Sequence, residues 1–308
     1  MADTRFYYND FSTFLQNRLG CKVQKITLDG GFTCPNRDGT LGHGGCTYCD
    51  NRTFSPAYCN GMLSITQQMN DGISFFAHKY PQMRYLAYFQ AYTNTYASLD
   101  ELVRRYEEAL SVEGTMGIVI GTRPDCMPDE LLDYLQSLAC RTYVLVEYGI
   151  ESTDDATLVR INRGHDYATA VDAVCRTAQR GIDVGAHIIL GLPGESRSML
   201  MQQAAELSKL PLSTLKLHQL QIIRGTKMAQ EYAENPEEFA LFALDEYIET
   251  VIDYIERLRP DIVLERFASQ SPKELRIAPD WGIKNHVIVD KVKRRMRERD
   301  TWQGKLFK

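Results

Sequence analysis

The sequence has 308 residues, of which 44% are hydrophobic and 24% are charged, and its formal net charge is −5. This composition is typical of a soluble globular protein and excludes a disordered chain. No apolar run is long enough to cross a bilayer, and the amino terminus lacks the basic start and apolar stretch of a signal peptide. We therefore expect a cytoplasmic protein with no membrane partner.

Short β-branched runs alternate with helical patterns along the chain. Six strands are predicted, over 21–30, 83–92, 116–122, 142–150, 182–192 and 215–223. Apolar residues at helical spacing predict helices over 98–112, 127–138, 154–161, 166–181 and 196–210. Two more helices, over 239–258 and 287–299, and a short strand over 262–266 complete the pattern. This alternation predicts an α/β fold with a parallel sheet and chemically active loops at the carboxyl ends of its strands.

The length suits one main domain with extensions. We predict an amino-terminal segment over 1–20, a core barrel over 21–260 and a carboxyl-terminal extension with a basic helix over 261–308.

The loop after the first predicted strand, GGFTCPNRDGTLGHGGCTYCDNRTFSP (30–56), holds three of the eight cysteines. So few cysteines in so long a chain do not form a disulfide framework, and a close cluster indicates metal binding or catalysis. Eleven residues separate Cys34 from Cys46, and two separate Cys46 from Cys49. Thiolates suit zinc or iron-sulfur clusters, but three of them cannot close a tetrahedral structural site. A fourth ligand must come from elsewhere.

The residues alone leave four interpretations of this cluster. His43 completes a Cys₃His zinc site, although structural zinc loops usually present two tight cysteine pairs. Cys46 and Cys49 form a redox pair, although such a pair normally opens a helix. The third interpretation is a coincidental grouping, although the rest of the chain supplies matching parts. In the fourth, a [4Fe-4S] cluster takes three cysteines and keeps one iron open for a substrate or cofactor.

GFTCPNRDGT and GGCTYC resemble the radical S-adenosylmethionine (SAM) superfamily. The resemblance is to the YhcC-like bacterial branch, which is related to the radical SAM domain of the Elongator catalytic subunit and has this long first gap. Further matches follow successive strands in the family's order: YFQAYTNTY (88–96), TRPD (122–125), VEYGIES (146–152), NRGH (162–165), IILGLPGE (188–195) and IIRGT (222–226). The resemblance implies a partial (β/α)₆ barrel of the TIM type, a [4Fe-4S] cluster on the three cysteines, and cleavage of SAM to a 5′-deoxyadenosyl radical.

The resemblance also implies a set of SAM contacts: Tyr48, Gln90, Asn94, Glu147, Arg163, Gly191 and Pro193. Gln90 and Asn94 stand where the superfamily usually has a Gly-Gly-Glu motif for the SAM amino group. Glu147 is expected at the ribose, and its alternative is a structural ion pair with an arginine, because a carboxylate in an apolar strand needs partners. Arg163 is expected at the SAM carboxylate, with Arg160 as its rival.

The relation to the Elongator subunit implies a transfer RNA (tRNA) substrate, modified on C5 of the wobble uridine. The acetyltransferase domain of that subunit is absent, so an acetyl-CoA mechanism is not expected. Candidate substrate contacts are Asn36, Arg37, Arg52, Arg123, His165, Lys293, Arg294 and Arg295. An electron donor such as flavodoxin or ferredoxin is a further expected partner.

The charge is unevenly distributed. Residues 284–308 contain nine Lys or Arg and three acids, which makes this tail +6 and the rest of the chain −11. A basic tail favours a polyanionic partner, and a solvated helix face is the alternative.

Two other functions stay open. One is a radical SAM enzyme that acts on a small metabolite or a protein, and the other is a non-enzymatic zinc protein that docks RNA. The sequence assigns no catalytic residue.

Overall fold

A computed structural model describes residues 7–77 and 83–308 of the chain. Residues 1–6 of the predicted amino-terminal segment lie outside the described residues. The described residues form nine strands: β1 (Val23–Leu28), β2 (Arg84–Phe89), β3 (Thr115–Thr122), β4 (Tyr143–Glu151), β5 (Asp183–Leu190), β6 (Thr214–Gln219), β7 (Ile222–Ile223), β8 (Val263–Arg266) and β9 (Arg276–Ala278).

The same residues form ten α-helices: α1 (Phe11–Leu19), α2 (Ile65–Ala77), α3 (Leu99–Leu110), α4 (Asp129–Ala139), α5 (Asp155–Arg160), α6 (Tyr167–Gln179), α7 (Arg197–Ser208), α8 (Lys227–Glu234), α9 (Leu244–Ile255) and α10 (Asn285–Glu298). No helix in these two ranges is long and apolar enough to span a membrane.

Seven strands form one parallel sheet in the order β1, β2, β3, β4, β5, β6, β8. Its two edge strands meet, because Lys25 Nζ on β1 lies 2.7 Å from Glu265 Oε1 on β8. In a flat sheet these edges would lie about 29 Å apart, at roughly 4.8 Å for each of six intervals. The sheet is therefore curled into a partial barrel. The predicted α/β barrel is confirmed, and the short strand predicted over 262–266 is its seventh strand.

The crossover helices cover the sheet and share one hydrophobic core with it, which includes Leu102 of α3, Leu135 of α4 and Val174 of α6. Helices α3 and α7 begin as the sequence predicts. Ser98 and Ser196 are their N-caps, and each side chain accepts a hydrogen bond from a backbone N–H three residues later. Local capping and apolar spacing thus determine where these helices lie.

The structure also contains elements that were not predicted. Helices α1, α2 and α8 lie in segments without a predicted helix. In α2, a Cβ added to Gly72 would lie 2.4 Å from Ile26 Cγ2 of β1, so glycine permits close packing while it lowers helix propensity. The strand predicted over 215–223 is interrupted, because β7 leaves the main sheet and pairs antiparallel with β9.

Helices α9 and α10 correspond to the two carboxyl-terminal helices predicted, with shorter or shifted bounds. They pack on each other with their charges paired. Arg295 Nε lies 2.5 Å from Glu249 Oε1, and Arg299 Nη2 lies 2.7 Å from Asp253 Oδ1. Part of the tail's positive charge is therefore neutralised within the protein. The domain boundaries stay predictions, although β8 lies beyond residue 260 and belongs to the main sheet.

Candidate active site

A cavity of about 190 Å³ opens at the carboxyl edge of the main sheet. Its wall combines the loop after β1 with residues at the ends of β2 to β6 and with the segment after β8. The carboxyl ends of barrel strands are where enzymes of this architecture carry their active sites. We therefore treat this cavity as the candidate active site.

All three cysteines of the loop line this cavity, and none forms a disulfide. Cys46 is buried, whereas Cys34 and Cys49 are partly exposed. The Cys49 N–H donates to Cys46 O at 3.0 Å, which closes a tight turn between the last two cysteines. Gly45 has a φ of 81°, a conformation that favours glycine, and its N–H donates to Asn36 O at 2.8 Å. The loop thus bends back and brings distant cysteines to one cavity.

Several N–H groups point toward the cysteines. Arg163 Nη1 lies 3.5 Å from Cys46 Sγ, and Asn36 Nδ2 lies 3.8 Å from the same sulfur. Arg37 Nη2 donates to Cys49 O at 2.7 Å. Such donors stabilise negative charge on thiolates that bind a metal. Asn36 and Arg37, predicted to contact substrate, are thus engaged in supporting the loop, and Asn36 is 1% exposed.

The thiol of Cys49 is held in its protonated form. Burial and the neighbouring Cys46 raise its pKa to about 11, although Arg37 lowers it. Because metals bind the thiolate, metal binding at this position must displace a proton.

The three cysteines offer a cluster or a metal only thiolate ligands. Within residues 7–77 and 83–308, no three His, Cys, Asp or Glu side chains are grouped so that they could hold a single metal ion. His43, which completes the zinc interpretation, lines an outer groove and not the cavity. In a cluster of several irons, each cysteine binds a different iron. The cysteine side chains therefore need not converge on a single metal ion. The donor set of three soft thiolates fits an iron-sulfur cluster.

Glu147 lies at the floor of the cavity, where it is 1% exposed and ion-paired. Lys216 Nζ lies 2.6 Å from its Oε2, and Lys25 Nζ lies 2.7 Å from its Oε1. His187 Nε2 lies 3.1 Å from Oε2. Burial alone raises the pKa of Glu147, but both lysines and His187 lower it well below its usual value. The ion pair weighed as an alternative is present, with lysines in place of the arginine.

The predicted SAM contacts fall into two groups. Those that line the cavity are Tyr48, Gln90, Glu147 and Arg163. Those that do not line it are Asn94, Gly191 and Pro193. Asn94 is buried, and its Nδ2 donates to the carbonyl of Gly121 at 2.7 Å. Its amide therefore holds the loop after β2 against β3.

The predicted substrate contacts are also divided. Arg37 and Arg123 line the cavity, whereas Asn36, Arg52, His165, Lys293, Arg294 and Arg295 do not. Arg123 forms an ion pair with Asp125, with Nη2 and Oδ2 2.8 Å apart. Burial and the neighbouring Arg163 together lower the pKa of His165 to about 4, so this imidazole is neutral at neutral pH.

Sequence reasoning missed the wall of the cavity formed by β5, β6 and the segment after β8. The rings of His187 and His218 stack there with centroids 5.5 Å apart. His218 Nε2 is buried without a hydrogen-bond partner among the described residues, and burial lowers the pKa of His218 well below its ordinary value. Gln219 exchanges two hydrogen bonds of 2.8 Å with the backbone of Ser269. Polar residues at the end of a predicted strand were the only available signal for this wall.

Two protein families match the sequence. The radical SAM superfamily matches residues 36–205, and the radical SAM C-terminal domain matches residues 212–298. Protein YtqA of Bacillus subtilis (strain 168) is 37% identical over 306 residues, which are 99% of this chain and 94% of YtqA. Protein YhcC of Escherichia coli (strain K12) is 37% identical over 274 residues, which are 89% of this chain and 87% of YhcC.

More distant similarity extends to a protein and to a solved structure from Methanocaldococcus infernus. A tRNA uridine(34) acetyltransferase of Methanocaldococcus infernus is 29% identical over 197 residues, which are 61% of this chain and 34% of that protein. The solved structure of the archaeal Methanocaldococcus infernus Elp3 with an amino-terminal deletion has a TM-score of 0.69 at 15% identity. The match covers 91% of this chain and 64% of that one, so this chain spans less than two thirds of that structure. This likeness shows a shared fold.

Proposed function

The chain belongs to the radical SAM superfamily, in the YhcC-like branch related to Elongator, and on this premise we propose that it modifies the C5 side chain of a tRNA wobble uridine. Enzymes of the superfamily use a [4Fe-4S] cluster and SAM. The observation that carries the enzymatic part is the presence of three free cysteines of one loop in one cavity. The tRNA part is supported by similarity to a protein named as a tRNA uridine(34) acetyltransferase.

We assign the cluster to Cys34, Cys46 and Cys49, which leaves one iron for SAM. When bound by these cysteines, the cluster would supply an electron for the reductive cleavage of SAM and so the means to remove a hydrogen from the substrate. The chain holds the three sulfurs on one loop and directs N–H groups of Arg163 and Asn36 toward Cys46 Sγ. Hydrogen bonds of this kind tune the electron affinity of a cluster.

Unpartnered donors in the cavity wall support an anionic ligand beside the cysteines. Arg163 Nε and Arg123 Nη1 are buried and have no hydrogen-bond partner among the described residues. Leaving a buried charged donor unsatisfied costs more than a typical hydrogen bond contributes. We therefore propose that these arginines bind the carboxylate of SAM, with Tyr48 and Gln90 beside them in the same wall.

The opposite wall suits a neutral base. His218 Nε2 has no partner among the described residues, and the depressed pKa of His218 keeps the ring uncharged at neutral pH. Enzymes that act on a base bind it by hydrogen bonds to its polar edge in a closely fitting pocket. We propose that the uracil ring enters on this side, and the SAM carboxylate on the side of the cysteines.

Anaerobic reconstitution tests the enzymatic part. The wild-type protein should bind about four irons per chain and cleave SAM on reduction. Cys46→Ala should lose the iron and the cleavage, and Cys140→Ala should keep both, because Cys140 is exposed and does not line the cavity. A colourless zinc protein would contradict the proposal.

Nucleoside profiling by mass spectrometry tests the substrate. A strain without this protein should lack a modified wobble uridine, and the Cys46→Ala gene should not restore the modification. An unchanged profile would overturn the tRNA substrate and leave the radical chemistry to another substrate.

A further inference from the structure

We infer that a single RNA strand crosses the mouth of the cavity, with its bases stacked on Tyr92 and Phe54 and its phosphates held in two flanking grooves. This inference rests on the proposed function and states how the RNA is held. Two aromatic rings lie at the mouth of the cavity. Tyr92 is 40% exposed and Phe54 is 37% exposed, and both line the cavity.

Tyr92 is held in a costly conformation. Its φ is 61°, in the left-handed region that residues with a Cβ rarely adopt. Its N–H donates to Asn51 Oδ1 at 3.1 Å, and the guanidinium carbon of Arg37 lies 5.9 Å from the centre of its ring. Strained backbone that the surroundings maintain is concentrated at functional sites. The strain here presents an aromatic ring at the mouth.

Each ring stands where the cavity meets a groove. Tyr92 also lines a groove of about 430 Å³ on the outer side of the cysteine loop. Phe54 also lines a groove of about 680 Å³ beside the segment 270–284. The three depressions therefore share walls and form one cleft across the mouth, with the cavity at its centre.

Both grooves carry cationic side chains. The first contains Arg52 and Lys227, whose side chains are 67% and 71% exposed. Arg52 pairs with Asp50, but an exposed pair of this kind is weak and can exchange for a phosphate. The second groove contains Lys273 and Lys284, which are exposed and form no ion pair with another described residue. Positive charge thus flanks the mouth on both sides.

Each groove thus combines cationic side chains with an aromatic ring where it joins the cavity. Proteins that bind single strands combine a positive groove for the backbone with aromatic rings for successive bases. Duplex RNA keeps its bases stacked inside, so its bases cannot reach such rings. A small metabolite fills only the cavity and makes no use of the grooves. The arrangement therefore favours a single strand whose central base enters the cavity.

Equilibrium binding to the full-length reconstituted protein tests this geometry. The probe is bulk tRNA from a strain that lacks the protein. Tyr92→Ala and Phe54→Ala should each weaken binding by about 5- to 150-fold, the range for loss of one stacked base. Tyr92→Phe, which keeps the ring, should restore the affinity. Phe75→Ala is the matched control, because Phe75 is 68% exposed on α2 and lines neither the cavity nor the grooves.

Salt dependence tests the grooves separately. For single strands, each phosphate contact contributes roughly 0.7 to the slope of log affinity against log salt. The double variant Lys273→Gln and Lys284→Gln should therefore reduce the magnitude of the slope by about 1.4. Lys22→Gln, at the amino end of β1, should leave the slope unchanged.

The outcomes separate the two proposals. If the wild-type protein binds no RNA, the proposed function fails and this inference fails with it. If the wild type binds, but the two alanine variants bind equally well with normal iron content, this inference alone is overturned. Equal competition by duplex RNA would also overturn it.

Discussion

Glu195 lies just after β5 and shows how one buried carboxyl ties stability to pH. Its Oε1 accepts a hydrogen bond from Ser152 Oγ at 2.6 Å, while its Oε2 is buried without a partner among the described residues. Burial raises the pKa of Glu195 from 4.5 to about 7, and the hydrogen bond from Ser152 opposes the shift. The fold therefore favours the protonated form of this side chain.

We expect Glu195→Gln to flatten part of the pH dependence of folding. With a raised pKa in the folded state, Glu195 carries no penalty below pH 4.5, and the wild type loses stability as the pH rises from 4.5 to about 7. The free energy of unfolding falls by at most about 3 kcal/mol, because each unit of pKa shift corresponds to about 1.4 kcal/mol. Urea unfolding at pH 5 and pH 8 measures it. The exposed control Glu113→Gln should behave as the wild type, and parallel profiles for Glu195→Gln and the wild type would contradict the prediction.

Among single residues, the sequence predicted groups that lie close together in the chain. It did not predict contacts between residues that are far apart in the chain. The cysteine cluster was predictable because its members lie on one loop. The partners of Glu147 were not, because Lys25 and Lys216 are 122 and 69 residues away in the sequence. A lysine in a strand ordinarily indicates a solvent-facing position, and only the curvature of the sheet turns these two inward.

Elements were predictable where their own residues specify them. The capped, periodic helices and the apolar strands were found, and β4 is buried along almost its whole length. Helix α2 was not predicted, and Gly72 in its interior lowers its helix propensity. Close packing against β1 and Tyr58 explains the glycine, since an added Cβ would lie 2.4 Å from Ile26 Cγ2 and 2.9 Å from Tyr58 Cε2.

Gly72→Ala should destabilise the protein. The higher helix propensity of alanine should stabilise the folded state by up to about 1 kcal/mol. Overpacking should destabilise it by roughly 1–3 kcal/mol, because Ile26 is fully buried and cannot move aside. We expect a net loss of about 1 kcal/mol by urea unfolding. Asn70→Ala, at an exposed position of the same helix, should be neutral or slightly stabilising. A Gly72→Ala protein more stable than the wild type would show that β1 and α2 can separate.

At the scale of the whole molecule, four charged side chains, two buried and two partly buried, join both edges of the partial barrel. Lys25 and Glu265 lie on the two edge strands, and Glu147 and Lys216 lie on β4 and β6 between them. Two positive and two negative groups balance within contacts of 2.6 to 3.1 Å. We call these four side chains the charge layer. The charge layer connects β1 and β8, which form no backbone ladder with each other.

Removing one member should cost more than removing two members of opposite charge. Lys25→Met leaves two carboxylates to share one lysine, and breaking a buried pair typically costs about 3–5 kcal/mol. The double variant Lys25→Met and Glu265→Gln should recover part of this loss, because the charge balance returns. Lys209→Met, whose side chain is 67% exposed in a surface pair, is the control and should change little. Equal losses of stability for Lys25→Met and Lys209→Met would show that these four charges do not hold the edge strands of the partial barrel together.

The pairing of α10 with α9 changes what the basic tail presents to its surroundings. Opposite charges a few ångströms apart form dipoles, whose potential decreases with distance faster than that of a single charge. Mobile ions screen what remains beyond about 8 Å at physiological ionic strength. Arg295 and Arg299, matched by Glu249 and Asp253, therefore exert little attraction on a distant polyanion. Added salt should therefore act here mainly by weakening the ion pairs between α9 and α10. The basic tail thus serves to hold the last helix against the fold by electrostatic attraction.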